Sequence, residues 1–184
     1  MGSFPPNYYD FFGLEHRLNL DLGDLEKRFY ALSREHHPDR FTLKSREEQQ
    51  RALDATAILN DAYRTLRDPL TRAEYLLKEN GFDIGEQGSK NVPPELLEEV
   101  FELNMALEEL RGGDESARQS LEEARNKFTG MRDGIDRELA EKFRAYDGSL
   151  ERSVLEQIRG ILNRRRYIRN LVNEVEKELA GAAV

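Results

Sequence analysis

The chain has 184 residues, of which 38% are hydrophobic and 35% charged, and its 28 basic and 36 acidic side chains give a net charge of −8. This negative balance argues against a nonspecific nucleic-acid binder and against docking on an anionic membrane. Cysteine is absent, which excludes disulfides, thiolate metal sites and cysteine nucleophiles. No apolar run approaches the roughly 20 residues that span a bilayer. The N-terminal "MGSFPPNYYD" has no basic and then apolar signal region, so we expect a cytoplasmic protein.

The first part of the sequence predicts a short aromatic turn, "YYDFFGL", followed by two antiparallel helices. A helix is expected from about Asp24 to His36, with Asp21 as its cap, and a second from about Ser45 to Leu66. Proline disfavours helix in the residue before it, so the two helices are separated by an exposed tip at His37–Asp39. "RDPLTRAEYLL" then restarts a helix. We expect the second helix to face the first through Leu53, Ala57 and the row from Ile58 to Ala62.

The second part predicts three helices after "GFDIGEQGSKNVPP", the one long stretch without helical periodicity. The first begins at the prolines and stops at Gly112–Gly113. Asp114 is expected to cap the second, and "YDGS" is expected to turn the chain at Asp147–Ser149. Short connections favour an antiparallel bundle. The second helix has an apolar seam in steps of three and four: Ala117, Leu121, Ala124, Phe128, Met131, Ile135 and Leu139.

The stretch "REHHPDRF" crowds two histidines, a proline and an aspartate into the tip between the first two helices. A histidine general base needs an orienting group and a nucleophile, and no such motif accompanies His36 or His37. A metal site requires further ligands at close spacing, and the other histidine, His16, lies far upstream in the sequence. We therefore expect no catalytic residue, metal ligand or cofactor. A metal-dependent hydrolase using His36, His37 and Asp39 is the alternative, and a proline that only breaks a helix is the simplest reading.

The order of these motifs resembles the J domain of DnaJ-type co-chaperones over roughly residues 7–80. "YYDFFGL", a basic helix, "HHPDRF" and a long helix ending "AYRTLRDPLTRAEYL" carry the resemblance. It implies binding to a DnaK-class chaperone and stimulation of its ATP hydrolysis, with the basic residues steering an acidic partner surface. Taken singly, each basic residue fits a solvated helix face equally well. The implied chaperone-binding residues are Lys27, Arg28, Arg34, His37, Pro38 and Asp39.

"RAEYLLKENGFD" and "ELLEEVFELNMALEEL" extend the resemblance to HscB, the co-chaperone of iron–sulfur cluster biogenesis. The chain lacks the glycine/phenylalanine-rich linker and the zinc region of general DnaJ proteins, and the N-terminal cysteine motif of some HscB proteins. The resemblance implies that the bundle holds an IscU-type scaffold and delivers it to an HscA/DnaK-class chaperone. Glu98 and Met105 depart from the commoner residue types. The implied scaffold-binding residues are Leu97, Phe101, Glu102, Met105 and Tyr167.

Helical periodicity gives independent support for a binding face on the first bundle helix. One apolar stripe forms the bundle seam, and Leu97, Phe101 and Met105 form a second, displaced stripe. On the last helix, Tyr167 and Leu171 lie off the main apolar face. The alternatives are that both extra stripes are core, because each helix of a three-helix bundle touches two neighbours, or that the first domain covers them.

Together these features predict an all-α, L-shaped, two-domain co-chaperone that is not itself an enzyme. Its J domain would occupy residues 1–80, a linker residues 81–92, and a C-terminal antiparallel three-helix bundle residues 93–184. The alternative is a J-protein adaptor whose bundle recruits a different client.

Overall fold

The computed structural model of the chain describes residues 7–83 and 92–181. Throughout these ranges the regular structure is helical and no strand occurs, so the all-α prediction is confirmed. The chain divides into two compact units. The first contains the described residues up to Asp83 together with Tyr146–Leu150, and the second contains the remaining described residues. Residues 84–91, most of the expected linker, lie outside the described residues.

The first unit is built on two long antiparallel helices joined by the tip. Their direction follows from two contacts: the Phe29 ring stacks on Tyr63 with 4.3 Å between centroids, and the Thr56 hydroxyl donates to the His36 carbonyl at 3.3 Å. A single 3-10 turn, Pro38–Phe41, lies between them. The α-helices of this unit are α1 (Tyr8–Phe12), α2 (Leu22–Glu35), α3 (Arg46–Arg67) and α4 (Pro69–Glu79).

Side-chain caps begin these helices close to where the sequence predicts. The Asp21 carboxylate accepts from the Gly23 and Asp24 amides and starts α2. Ser45 and Glu48 form a reciprocal capping box at the start of α3. The Ser45 amide and hydroxyl donate to Glu48, and these hydrogen bonds lower the pKa of its carboxyl. Such caps satisfy amides that a helix start leaves without partners.

The buried face of α3 agrees only in part with the expected one. Leu59 and Ala62, from the expected row between Ile58 and Ala62, are buried, whereas Leu53 is half exposed and Ala57 is exposed. Ala52 and Ala55 are buried in their place, and such small side chains let neighbouring helices approach closely. The helix packs on α1, α2 and α4. The buried residues of α3 are Ala52, Ala55, Leu59, Ala62 and Leu66.

A segment distant in sequence completes the first unit. The Asp147 carboxylate accepts hydrogen bonds from the Leu18 amide at 2.7 Å and from the Asn19 amide at 2.8 Å. The Asn19 side chain donates to the same carboxylate, and the Arg17 guanidinium donates to the Asp147 carbonyl. Tyr146 is buried. Asp147 thus satisfies two backbone amides of the irregular connection between α1 and α2.

The second unit consists of three helices that alternate in direction. The last helix runs opposite to the middle one, because Arg165 pairs with Asp136 and Gln157 bonds to Lys142. It runs parallel to the first, because Glu95 pairs with Arg164 and Arg111 with Glu178. A 3-10 turn, Pro94–Leu96, leads into the first of them. The helices are α5 (Leu97–Arg111), α6 (Ala117–Ser149) and α7 (Arg152–Gly181). The last residues of α6, from Tyr146 onward, belong to the first unit. Leu96 of the 3-10 turn is buried together with one face of α5, which consists of Val100, Leu103, Ala106, Leu107 and Leu110.

The turn expected at Asp147–Ser149 is instead the last turn of α6. The chain reverses at Leu150, which has a positive φ of 56°. Aspartate favours turns when its side chain bonds to nearby backbone. Here the Asp147 carboxylate is taken by Leu18 and Asn19, so it does not cap a local turn and the helix continues.

Candidate binding surfaces

The tip between α2 and α3 presents an imidazole and a carboxylate next to each other. His37 caps the 3-10 turn and Pro38 occupies its first position. The Nδ1 atom of His37 accepts from the Asp39 amide at 3.3 Å, so the neutral ring carries its proton on Nε2. The Asp39 side chain is 86% exposed, and its Oδ2 lies 3.6 Å from His37 Nδ1. Both side chains are therefore available to a partner.

Hydrogen bonds to backbone carbonyls hold this tip in one shape. The Arg40 amide donates to the His37 carbonyl at 3.0 Å, and the Arg40 guanidinium reaches back to the Arg34 carbonyl at 3.2 Å. The Thr56 hydroxyl of α3 donates to the His36 carbonyl. A tip fixed in this way loses little conformational entropy when it docks.

The exposed face of α2 leads to the tip with positive charge. Lys27 and Arg34 are both exposed, and their spacing of seven places them about 20° apart around the helix. Tyr30 is an exposed aromatic between them, and the Arg34 Nε donates to its carbonyl at 3.3 Å. The sequence analysis did not single out Tyr30, although its i, i+3, i+7 spacing with the two basic residues was visible.

Arg28, the third basic residue predicted on this surface, makes contacts inside the unit. One terminal nitrogen donates to the Phe12 and Gly13 carbonyls, each at 3.0 Å, and its Nε donates to Asp24 at 2.7 Å. The guanidinium thus joins α2 to the end of α1. The structure gives Arg28 an internal role that the sequence did not indicate.

Replacing Arg28 with alanine is expected to lower the free energy of unfolding by about 1–3 kcal/mol, because charged hydrogen bonds to two carbonyls are lost. Lys27→Ala removes a charge from the same helix and is expected to change that energy by less than about 0.5 kcal/mol. Urea unfolding of both variants, followed by circular dichroism, measures the difference. Equal stabilities would contradict the internal role of Arg28.

Leu43 is a residue near the tip that the sequence analysis missed. Its side chain is 99% exposed, yet its neighbours are fixed, because Gln49 donates to the Thr42 carbonyl at 3.1 Å and to the Lys44 carbonyl at 3.0 Å. The signal in the sequence was a single leucine within the polar stretch "RFTLKSRE". The loop therefore presents an apolar side chain beside the His37–Asp39 turn.

A second candidate surface lies on α5. The Leu97, Phe101 and Met105 side chains are 58%, 67% and 47% exposed. They follow one another at intervals of four and so form a continuous apolar stripe, about 80° wide. The opposite face of α5 carries the bundle core. The possibility that this second stripe is core is therefore excluded for α5 within the second unit.

Glutamates border the α5 stripe. Glu98 and Glu102 are exposed along one edge, and Glu108 is exposed further along the helix. Apolar side chains surrounded by polar ones are typical of sites for another protein. The structure therefore brings together Leu97, Phe101, Glu102 and Met105, four of the five residues predicted to bind a scaffold.

Two ion pairs place the fifth residue, Tyr167, relative to α5. Glu95 pairs with Arg164, and Arg111 pairs with Glu178, so α5 and α7 run in parallel. This register puts Tyr167, one turn after Arg164, level with the beginning of α5. Tyr167 therefore lies at the height of the apolar stripe but on the neighbouring helix.

The environment of Tyr167 is less open than that of the stripe. Its side chain is half-buried, and burial followed by the charge of Glu174 raises the pKa of its phenol. Leu171, one turn further along, is buried. The extra stripe on α7 is thus partly core, contrary to what its position off the main apolar face suggested.

The ranges that the structure describes contain neither a cluster of metal ligands nor a helix that could span a membrane. No group of three or more histidine, aspartate or glutamate side chains is arranged to hold a metal ion there. Over the same residues, no helix is long and apolar enough to cross a membrane.

Comparison with known proteins assigns a family to each part of the chain. Residues 7–75 match the family model of the DnaJ domain, and residues 92–176 match that of the HSCB C-terminal oligomerisation domain. The chain is 32% identical over 171 residues to the co-chaperone protein HscB homolog of Shewanella loihica, which covers 93% of this chain and 96% of that protein. The chain belongs to the HscB family of co-chaperones. Its J domain contains the His37–Asp39 turn, and its HscB C-terminal domain contains the α5 stripe.

Other HscB proteins give the same result. The HscB homolog of Aliivibrio salmonicida is 33% identical over 172 residues, covering 93% of this chain and 95% of that protein. The structure of HscB from Vibrio cholerae superposes with a TM-score of 0.58 at 32% identity, covering 93% of this chain and 96% of that one. Human HscB gives a TM-score of 0.68 at 25% identity, with 96% and 84% covered. The resemblance inferred from the sequence is confirmed.

Proposed function

We propose that this HscB-family chain holds an IscU-type iron–sulfur scaffold protein and delivers it to an HscA/DnaK-class chaperone. It stimulates ATP hydrolysis by that chaperone and catalyses no reaction itself. In this proposal the cluster belongs to the client, the chain needs no cofactor, and the complex works in the cytoplasm. Residues 1–80 act as the J domain, 81–92 as a linker and 93–184 as the scaffold-binding bundle.

The observation that carries the client half of the proposal is the exposure of Leu97, Phe101 and Met105. A bundle helix needs one apolar stripe for its core, and α5 has a second one open to solvent. An aromatic and aliphatic cluster with a polar rim has the anatomy of a binding hot spot. Glu102 supplies part of that rim, and Tyr167 supplies an amphipathic side chain at the same height on α7.

The chaperone half rests on the chemistry of the tip. The Asp39 carboxylate can accept both donors of a partner arginine, and Pro38 keeps the turn in its docking shape. Lys27 and Arg34 attract an acidic partner surface and speed the encounter. Arg28 contributes to this surface through its charge, while its donors hold α1.

Binding and ATPase measurements on the full chain test the two halves separately. Calorimetric titration with an IscU-type scaffold is expected to show micromolar affinity, about 8 kcal/mol, because the complex must release its client after delivery. Steady-state ATP hydrolysis by an HscA-class chaperone is expected to rise when the chain is added and to rise further with scaffold present. ATPase stimulation without scaffold binding would contradict the client assignment and favour an adaptor with a different client.

A further inference from the structure

The apolar stripe of α5 forms one wall of a groove. Between α5 and α6 lies a cavity of about 500 Å³, lined by the exposed Phe101 and Met105 and by the buried Phe128. Glu99 pairs with Lys127 of α6 on this side of α5, whereas Arg111 pairs with α7 on the other. The stripe is therefore the edge of a concave surface that continues onto α6, away from Tyr167.

The stripe alone is too small for a specific protein interface. A large aromatic side chain buries about 150–250 Å², while each partner of a standard interface contributes about 800 Å². Three partly exposed side chains supply about half of that at most. The groove provides additional surface directly continuous with Phe101 and Met105.

The groove carries an excess of negative charge. Four glutamates and one lysine line it. The ammonium of that lysine, Lys127, lies 3.5 Å from Glu99. Glu123 accepts a hydrogen bond at 3.0 Å from a neutral donor, the side-chain amide of Gln119. A concave surface concentrates the potential of such carboxylates, so the groove attracts a cationic group.

We propose that this groove receives a client segment in which a lysine or arginine stands beside an apolar side chain. The apolar side chain packs on Phe101 and Met105, and the cation lies among Glu102, Glu109 and Glu123. The inference rests on the proposed function, which names the client as an IscU-type scaffold. It extends that function by assigning the client's recognition chemistry and by placing its contacts on α6.

A pair of charge-neutralising variants tests this assignment. The first is Glu109→Gln with Glu123→Gln, which removes two charges from the groove. The control is Glu156→Gln with Glu176→Gln, which removes two charges from exposed positions on α7. Each full-length variant is titrated with an IscU-type scaffold at low and at high salt. The groove variant is expected to bind about tenfold more weakly at low salt and to show less salt dependence, and the control to stay within about twofold of the wild type.

The outcomes distinguish the groove from the wider proposal. Wild-type affinity in both charge variants would overturn the groove assignment. If Phe101→Ala still weakens binding in that case, the proposed scaffold-binding function stands without the groove. Equal losses in both charge variants would also overturn it, because overall charge alone would then explain the effect. A wild-type chain that does not bind the scaffold would overturn the proposed function and this inference with it.

Discussion

Replacing His37 with glutamine is expected to abolish stimulation of the chaperone's ATP hydrolysis. The imidazole ring caps the 3-10 turn by accepting a hydrogen bond from the Asp39 amide, and the same ring is half exposed at the tip. A glutamine side chain cannot accept this hydrogen bond and at the same time hold an N–H donor where the imidazole ring holds its own. We expect the stimulated rate to fall at least about tenfold, equivalent to about 1.4 kcal/mol of lost interaction in the activated complex.

The adjacent histidine provides a matched control. His36 ends α2, is half-buried, and lies with its ring 6.3 Å from that of Phe11. His36→Gln makes the same chemical change one residue away, and we expect most of the stimulation to remain. Thermal unfolding of both variants shows whether either loses stability. If His37→Gln stimulates the chaperone's ATP hydrolysis as the wild type does, the proposed role of the tip is contradicted.

His37→Gln also separates the two functions proposed for the chain. The scaffold-binding residues are proposed on α5 and α7, so His37→Gln is expected to bind an IscU-type scaffold with unchanged affinity. A calorimetric titration beside the ATPase assay measures this. Loss of both activities in a variant that remains folded would show that the two surfaces do not act separately.

Replacing Phe101 with alanine is expected to weaken scaffold binding by about 2 kcal/mol or more, roughly 30-fold in Kd, as is typical of an aromatic hot spot. Phe101 is the most exposed of the three apolar side chains of the α5 stripe. Because it lies outside the bundle core, its loss is expected to change the free energy of unfolding by less than about 0.5 kcal/mol. Calorimetric titration and urea unfolding measure the two effects on the same protein.

Tyr30→Ala is the matched control for this experiment. Tyr30 is another exposed aromatic on a helix, but it belongs to the first unit. We expect Tyr30→Ala to bind the scaffold like the wild type, and Phe101→Ala to keep the ATPase stimulation that the chain gives in the absence of scaffold. Wild-type affinity in Phe101→Ala would place the client on another surface of the bundle.

Local sequence signals predicted the helices of the first unit well, because chemical causes of their starts lie close by. Asp21 caps α2 as expected, Pro38 separates α2 from α3, and α3 begins after its cap Ser45, where the helix was expected to start. Long-range contacts could not be predicted in the same way. The Asp147 carboxylate bonds to residues near the other end of the chain, and no pattern around "YDGS" indicates that partner.

The sequence could not show which side chains of the candidate sites are buried, and this limited the prediction of those sites. Periodicity identified two extra apolar stripes but could not decide which was exposed, since a bundle helix can bury two faces. Phe101 is exposed and Leu171 is buried, although both lie off the main apolar faces of their helices. Arg28 shows the same limit, because only the position of the Phe12 and Gly13 carbonyls reveals that its donors are occupied.

The contribution of Tyr146–Leu150 to the first unit affects the order in which the chain can fold during synthesis. The ribosome adds roughly 5–20 residues each second, so several seconds separate the emergence of Asp83 from that of Asp147. Until then the Leu18 and Asn19 amides have no carboxylate to bind. A nascent chain ending shortly after α4 therefore has the His37–Asp39 turn but an incomplete first unit. Its folding is finished only after Asp147, and with it most of the second unit, has been translated.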